Sequence, residues 1–218
     1  MKYEIVGGDM QTLRVRLSKG DKFYANPGHF ITKEGSVEMN SRVASETLGG
    51  MSRAFAGTGV FLAEFSANAD GEVALSGSLP GKIMAFELEH GEELVVEHFA
   101  YLASDVGSVD VETVSLGAAF FGGASLFLQK HKGPGRVFVH VVGGPVEVAL
   151  DGKEEVQAEP SHIAAFQPSL VYNVKYVGHL KASVLGGAGL FFANFNGRGK
   201  LICHSASRFA LVAGAGKK

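Results

Sequence analysis

The chain has no tryptophan and a single cysteine, Cys203, in 218 residues. One cysteine cannot close a disulfide within the chain, so no crosslinked framework holds the fold. Charge is sparse as well. Only 19 % of residues are charged and the net charge is −2, which lacks the basic excess that nucleic-acid binding uses. No run of 18 apolar residues is free of charge, so no spanning helix is expected. The opening Met1-Lys2-Tyr3-Glu4-Ile5 reads as the start of a strand and not as a secretory leader. The expectation is a soluble, cytoplasmic protein for which nucleic acid is not a partner.

Catalytic signatures are missing too. There is no Gly-x-Ser-x-Gly elbow, and Gly186-Gly187-Ala188-Gly189 lacks the Lys-Ser/Thr pair that a phosphate loop requires. Among the eight histidines (29, 90, 98, 131, 140, 162, 179 and 204) no pair has the His-x-His or His-x-x-x-His spacing of a metal-binding strand. Cys203 and His204 are neighbours on an extended run, so they point to opposite faces and are poorly placed as a nucleophile and its base. Glu87, Glu89, Glu92 and Glu93 surround a polar turn, where solvent keeps carboxylates alike instead of separating their pKa values. These readings predict no catalytic residue, no metal and no cofactor, hence no enzyme.

What the chain has in abundance is glycine, 30 residues against an average usage of about 7 %. Sixteen phenylalanines stand ready to anchor a core. The glycines are spaced regularly. Asp70-Gly71-Glu72-Val73-Ala74-Leu75-Ser76 returns as Pro134-Gly135-Arg136-Val137-Phe138-Val139-His140, and again as Arg198-Gly199-Lys200-Leu201-Ile202-Cys203-His204. Gly71, Gly135 and Gly199 lie 64 residues apart, and such self-similarity sets an architecture. Val60-Phe61-Leu62, Leu126-Phe127-Leu128 and Leu190-Phe191-Phe192 open an apolar run in each copy. A turn recurs further upstream, as Leu17–Phe23, Leu88–Leu94 and Leu150–Val156. Three internal repeats therefore cover about 7–76, 80–141 and 144–205.

Each repeat reads as strands. Arg136–Val141, Lys82–Leu88 and Val171–Val177 alternate with period 2, and Gly, Pro, Asn and Asp interrupt every 8–12 residues. Gly71, Gly135 and Gly199 are expected in tight turns, where a positive φ suits glycine. Ser45 to Ala56 can form at most a short helix, because Gly49 and Gly50 sit in its middle. The fold class is all-β: one domain over 1–218, with residues 213–218 as a frayed tail.

The stretch Gly122-Gly123-Ala124-Ser125-Leu126-Phe127-Leu128-Gln129-Lys130, followed by Gly133-Pro134-Gly135-Arg136-Val137-Phe138, resembles the hallmark of the altered-inheritance-of-mitochondria protein 24 family. Leu79-Pro80-Gly81-Lys82-Ile83, Ala100-Tyr101-Leu102-Ala103-Ser104 and His162-Ile163-Ala164-Ala165-Phe166 resemble further hallmarks. The resemblance runs from about residue 3 to residue 205. It implies a double-stranded β-helix like that of the tryptophan RNA-binding attenuation protein, and self-association, with a trimer favoured. It implies no reaction, though mitochondrial members are linked to inner-membrane organisation. The chain departs from the pattern at Ser66-Ala67-Asn68-Ala69-Asp70-Gly71, where the first repeat lacks the Gly-x-Gly turn and a longer hairpin is expected.

Candidate contact residues are uncharged and flank the Gly pairs: Leu48, Gly49, Gly50 and Met51; Phe120, Phe121, Gly122 and Gly123; Leu185, Gly186 and Gly187. Such segments either plug the ends of a β-helix or form a contact surface. The favoured function is a non-catalytic homo-oligomeric scaffold or binding protein, with a protein partner or a membrane surface on the apolar loops. A cupin-like enzyme dependent on a metal or small molecule, and an RNA-linked regulator, are the alternatives.

Overall fold

The structure, a computed structural model, describes residues 1–43, 61–106, 108–114, 126–177 and 190–207. These residues are all-β, broken only by two single 3-10 turns, Pro27–His29 and Pro160–His162. Among them no helix is long and apolar enough to cross a membrane. The stretch 45–56, read from sequence as at most a short helix, lies outside the described residues.

The chain falls into three segments. The first holds β1 (Lys2–Val6), β2 (Thr12–Leu17), β3 (Lys22–Ala25), β4 (Phe30–Val43) and β5 (Phe61–Ser76). The second holds β6 (Gly81–Leu88), β7 (Glu93–Glu97), β8 (Tyr101–Ser104), β9 (Ser108–Val114), β10 (Leu126–Lys132) and β11 (Gly135–Val142). The third holds β12 (Pro145–Asp151), β13 (Val156–Ala158), β14 (Ile163–Phe166), β15 (Leu170–Val177) and β16 (Leu190–His204). The same antiparallel pairings recur in each. β2 lies on the end of β5, β6 on β11, and β12 on the end of β16. β3 lies on the start of β5, β7 on β10, and β13 on the start of β16.

Local chemistry closes the turns alike. Asp21 accepts from the Ser18 N–H at 2.9 Å, and Glu92 accepts from the Glu89 N–H at 2.8 Å. Gly20, Gly91 and Gly152 take the positive φ that these turns need. The 3-10 turns begin on Asn26 and Glu159, whose side chains accept from Gly28 N–H and Ser161 N–H, with proline fixing the first φ.

Two pairings weld the segments together. β3 pairs with β8, setting Ala25 opposite Ala103, and β7 pairs with β14, setting Val96 opposite Ala165. Both β8 and β14 are buried throughout, because each has a strand on either side. One apolar cluster joins Leu13, Val15, Phe23, Phe65 and Leu75 of the first segment to Leu102, Ala103 and Phe138 of the second. Another joins Val96, Tyr101 and Val139 to Ala164, Ala165 and Ile202 of the third. A third, around Phe166, Leu170, Phe195 and Leu201, fills the third segment.

Two of the three glycines expected in turns are corrected. Gly71 and Gly199 lie inside the long strands β5 and β16 without positive φ, and no hairpin interrupts Ser66–Gly71. Only Gly135 has a positive φ, 141°, at the start of β11. The reason for glycine in the strands is close approach. A Cβ on Gly71 would lie 2.5 Å from Val37 Cγ2 and 2.6 Å from the Glu34 carbonyl oxygen. On Gly199 it would meet the Ser169 hydroxyl at 2.8 Å, and that side chain can swing away. Gly71→Ala is therefore expected to cost about 2–3 kcal/mol and Gly199→Ala about 1 kcal/mol or less. Urea midpoints of the two variants check the ranking.

Candidate functional site

Three features of the described surface and core carry chemistry: a buried polar cluster, a cleft between the second and third segments, and two open sheet ends.

The polar cluster occupies the second segment. His131 is buried where the pairing pattern puts Phe65 in the first segment and Phe195 in the third. Its Nε2 meets Gln129 Oε1 at 3.3 Å, and Gln129 Nε2 meets His98 Nδ1 at 2.9 Å. The His131 ring stacks on Tyr101 at 4.8 Å, whose hydroxyl reaches Ser104 Oγ at 2.9 Å and the Tyr24 carbonyl at 3.1 Å. Buried Glu97 accepts from the backbone N–H of Phe99 and of Ala100, closing the turn before β8. Burial holds His131 at about 3, so the ring is neutral at pH 7. His29 is held at about 4, first by burial and then by the nearby His140 and His98. The His29 and His140 rings stand 6.4 Å apart. Among the described residues no three His, Cys, Asp or Glu side chains converge as metal ligands. The cluster is a buried polar core with a neutral His131 ring and Gln129 as its hub, and His131 Nδ1 has no hydrogen-bond partner in it. The pairing positions signal it in the sequence: a histidine stands where two phenylalanines set the rule.

The cleft, about 480 Å³, is floored by Phe86, Leu88, Leu94 and Ile202 and rimmed by Glu87, Glu92, Glu93, Gln167, Ser169 and Lys200. Three of the four carboxylates read from sequence as a solvated cluster thus stand on one rim, and Glu87, Glu89 and Glu92 are exposed.

The two open ends are the outer edges of β4 and β13, each of which pairs with one strand among the described residues. In each segment one residue bulges out of register on the strand after the turn: Ile31, Leu102 and Ala164. Leu102 and Ala164 are fully buried, whereas Ile31 is 48 % exposed. At the far end a groove is lined by Val146, Val148, Val156, Leu201, Cys203 and His204, with Val146 46 % exposed.

The remaining sequence-level candidates separate cleanly. Cys203 is a free, half-buried thiol whose pKa burial raises to about 11. The His204 ring turns elsewhere and accepts from Val142 N–H at 3.0 Å. His29 and His162 both close 3-10 turns. Leu48, Gly49, Gly50, Met51, Phe120, Phe121, Gly122, Gly123, Leu185, Gly186 and Gly187 all lie outside the described residues.

The model of the mitochondrial biogenesis AIM24 family matches residues 3–206. An uncharacterised protein of Streptococcus pyogenes serotype M6 is 25 % identical over 203 residues, covering 88 % of this chain and 80 % of that protein. The X-ray structure of another Streptococcus pyogenes protein superposes with a TM-score of 0.77 at 23 % identity, covering 98 % of this chain and 97 % of that one. That likeness shows a shared fold.

Proposed function

We propose that this chain, which belongs to the mitochondrial biogenesis AIM24 family, is a non-catalytic cytoplasmic scaffold that works by associating with further copies of itself. Its three segments are then three copies of one double-stranded β-helix unit, like that of the attenuation protein, strung into an array with two unfilled ends. The uncharged stretches around Phe120-Phe121 and the other Gly pairs are left to a protein partner or a membrane surface.

The observation that carries the reading is the exposure of Ile31. Its counterparts Leu102 and Ala164 are buried because a strand of the preceding segment covers each of them. Among the described residues β4 pairs with β5 alone, and Lys33 folds back to donate to the Val37 carbonyl of its own strand. At the other end β13 pairs with β16 alone among the described residues, while β3 and β7 each pair with two strands. Carrying the internal register across two copies sets Ala158 of one opposite Thr32 of the next. Unpaired edges invite such addition, and a head-to-tail contact that closes makes a ring, for which three copies is the expected number.

Light scattering on the purified protein tests this. The expected result is a discrete oligomer at tens of micromolar. Ile31→Asp is expected to weaken association at least ~10-fold with an unchanged circular dichroism spectrum, because it places a charge where an apolar side chain would be covered. A wild-type chain that runs as a monomer at that concentration would end the proposal.

A further inference from the structure

At the first junction between segments the molecule already holds a peptide strand, and the second junction has the matching residues with no described strand on them. Strand β1 adds to the free edge of β2, with Lys2 opposite Arg16, Tyr3 opposite Val15 and Glu4 opposite Arg14. The Met1 ammonium sits 3.0 Å from the Asp21 carboxylate. The Met1 carbonyl accepts from Arg136 Nη2 at 3.4 Å, and the Tyr3 ring packs edge-on against Phe138 at 4.8 Å. Met1 and Ile5 pack on the cluster that contains Val15 and Leu17, which are fully buried.

The pairing registers translate each of these groups to the cleft between the second and third segments. Val15 opposite Val73 becomes Phe86 opposite Val137, and Leu17 opposite Gly71 becomes Leu88 opposite Gly135. Asp21, which caps the turn at Ser18, becomes Glu92, which caps the turn at Glu89 in the same way. Phe138 and Arg136 become Ile202 and Lys200. The Arg136 N–H donates to Asp105, as the Lys200 N–H donates to Gln167. Of the translated residues, Phe86, Leu88, Glu92, Gln167, Lys200 and Ile202 line the one cleft. The difference between the junctions is cover. Phe86 and Leu88 are half-exposed where Val15 and Leu17 are buried. Strand β6 ends its sheet, whereas β2 has β1 beyond it. Gln11 occupies the first part of the β6 edge, its side chain accepting from Ile83 N–H at 2.7 Å, and among the described residues no strand pairs with that edge from Met84 to Leu88.

We propose that this cleft binds an extended peptide from another protein, added antiparallel to β6. The peptide brings a positive charge at its first residue to Glu92 and Glu93. The carbonyl of that residue faces Lys200, and an apolar or aromatic third residue lies opposite Phe86 and over Ile202. Main-chain pairing supplies affinity in such strand addition, and the alternate side chains supply selection. The occupant is a partner, because this chain's own first strand is held at the first junction. The proposal does not depend on association of copies: Ile31 and β13 lie outside the cleft.

The test uses the full chain and the peptide Met-Lys-Tyr-Glu-Ile-Val, whose sequence already satisfies the first junction, titrated by calorimetry with a free or an acetylated amine. Binding of the free-amine peptide is expected to weaken at least tenfold on acetylation, and to the same degree in Glu92→Gln, which keeps an acceptor for the Glu89 N–H. Lys200→Glu is expected to weaken it as well, while Asp21→Asn leaves it unchanged. Equal affinity of the two peptides, no binding at millimolar peptide, or loss in Asp21→Asn with none in Glu92→Gln would each overturn the assignment. Light scattering on the same variants separates this from the scaffold reading, since a defect in peptide binding with an intact oligomer touches only the cleft.

Discussion

Lowering the pH from 7 to 4.5 is expected to remove about 5 kcal/mol of folding stability, most of it through two histidines. His29 and His131 are held neutral by burial, at about 4 and about 3, against an ordinary value of 6.5. Below 6.5 the unfolded chain binds a proton at each site and the folded chain does not. Stability is therefore complete above 6.5 and falls as the pH descends toward the folded values, by about 1.4 kcal/mol per histidine per pH unit. Over two units each ring costs about 2.5 kcal/mol. His140 is shifted the same way by burial and adds to the trend. Carboxylates held low by ion pairs and turn hydrogen bonds, such as Glu72 and Asp21, contribute only at lower pH, so the window from 6.5 to 4.5 belongs to the rings. Urea unfolding at half-unit steps measures the slope. His131→Phe should cut that slope by about one proton, since Phe65 and Phe195 already fill the matching positions. A stability that is flat from pH 6.5 to 4.5 would show that these rings are not buried neutral.

How much of this was legible beforehand follows from what each pattern encodes. The 64-residue spacing of Gly71, Gly135 and Gly199 marks matching strand positions, and the recurring turns at Gly20, Gly91 and Gly152 are where alternation breaks. The all-β class and the order of strands are local properties, so sequence carries them. The role of the spaced glycines is not local. Gly71 is glycine because Val37 and the Glu34 carbonyl, more than thirty residues away, press on it across the sheet. That contact has no signature in the neighbouring residues, and a turn is the reading that proximity in sequence favours. Burial misleads in the same way. Ile31, Leu102 and Ala164 are all apolar residues after a turn, and only the stacking of segments decides that two are covered and one is bare. The cleft is harder still, because its argument rests on what the N-terminal strand does at another junction. Without the registers, Glu92 and Lys200 are two surface charges.

Phe138→Ala is expected to cost about 3–5 kcal/mol, the other large effect and the one that reads the first junction directly. Phe138 is fully buried on β11, the strand held between β6 and β8, opposite Ala85 on one side and Ala103 on the other. Both neighbours are alanines, so they have no side chain to swing into the space. Tyr3 closes the site edge-on and is itself held by Arg136 over its ring at 5.4 Å. The cavity cannot collapse without moving a central strand that two others hydrogen-bond, so the full range of a Phe-to-Ala loss applies. Phe138→Leu keeps most of the volume and should cost about 1–1.5 kcal/mol. Tyr3→Ala removes a partly exposed ring and should also cost about 1 kcal/mol. Urea unfolding should remain a single transition in all three variants, because β3–β8 and β7–β14 tie each segment to the next. Hydrogen exchange then locates the damage. Amides of Lys2–Val6 should lose protection in Phe138→Ala more than those of the third segment, since β1 loses the ring on which Tyr3 rests. A second transition appearing in Phe138→Ala would instead mean that the third segment, with its own cluster around Phe195, folds apart from the junction.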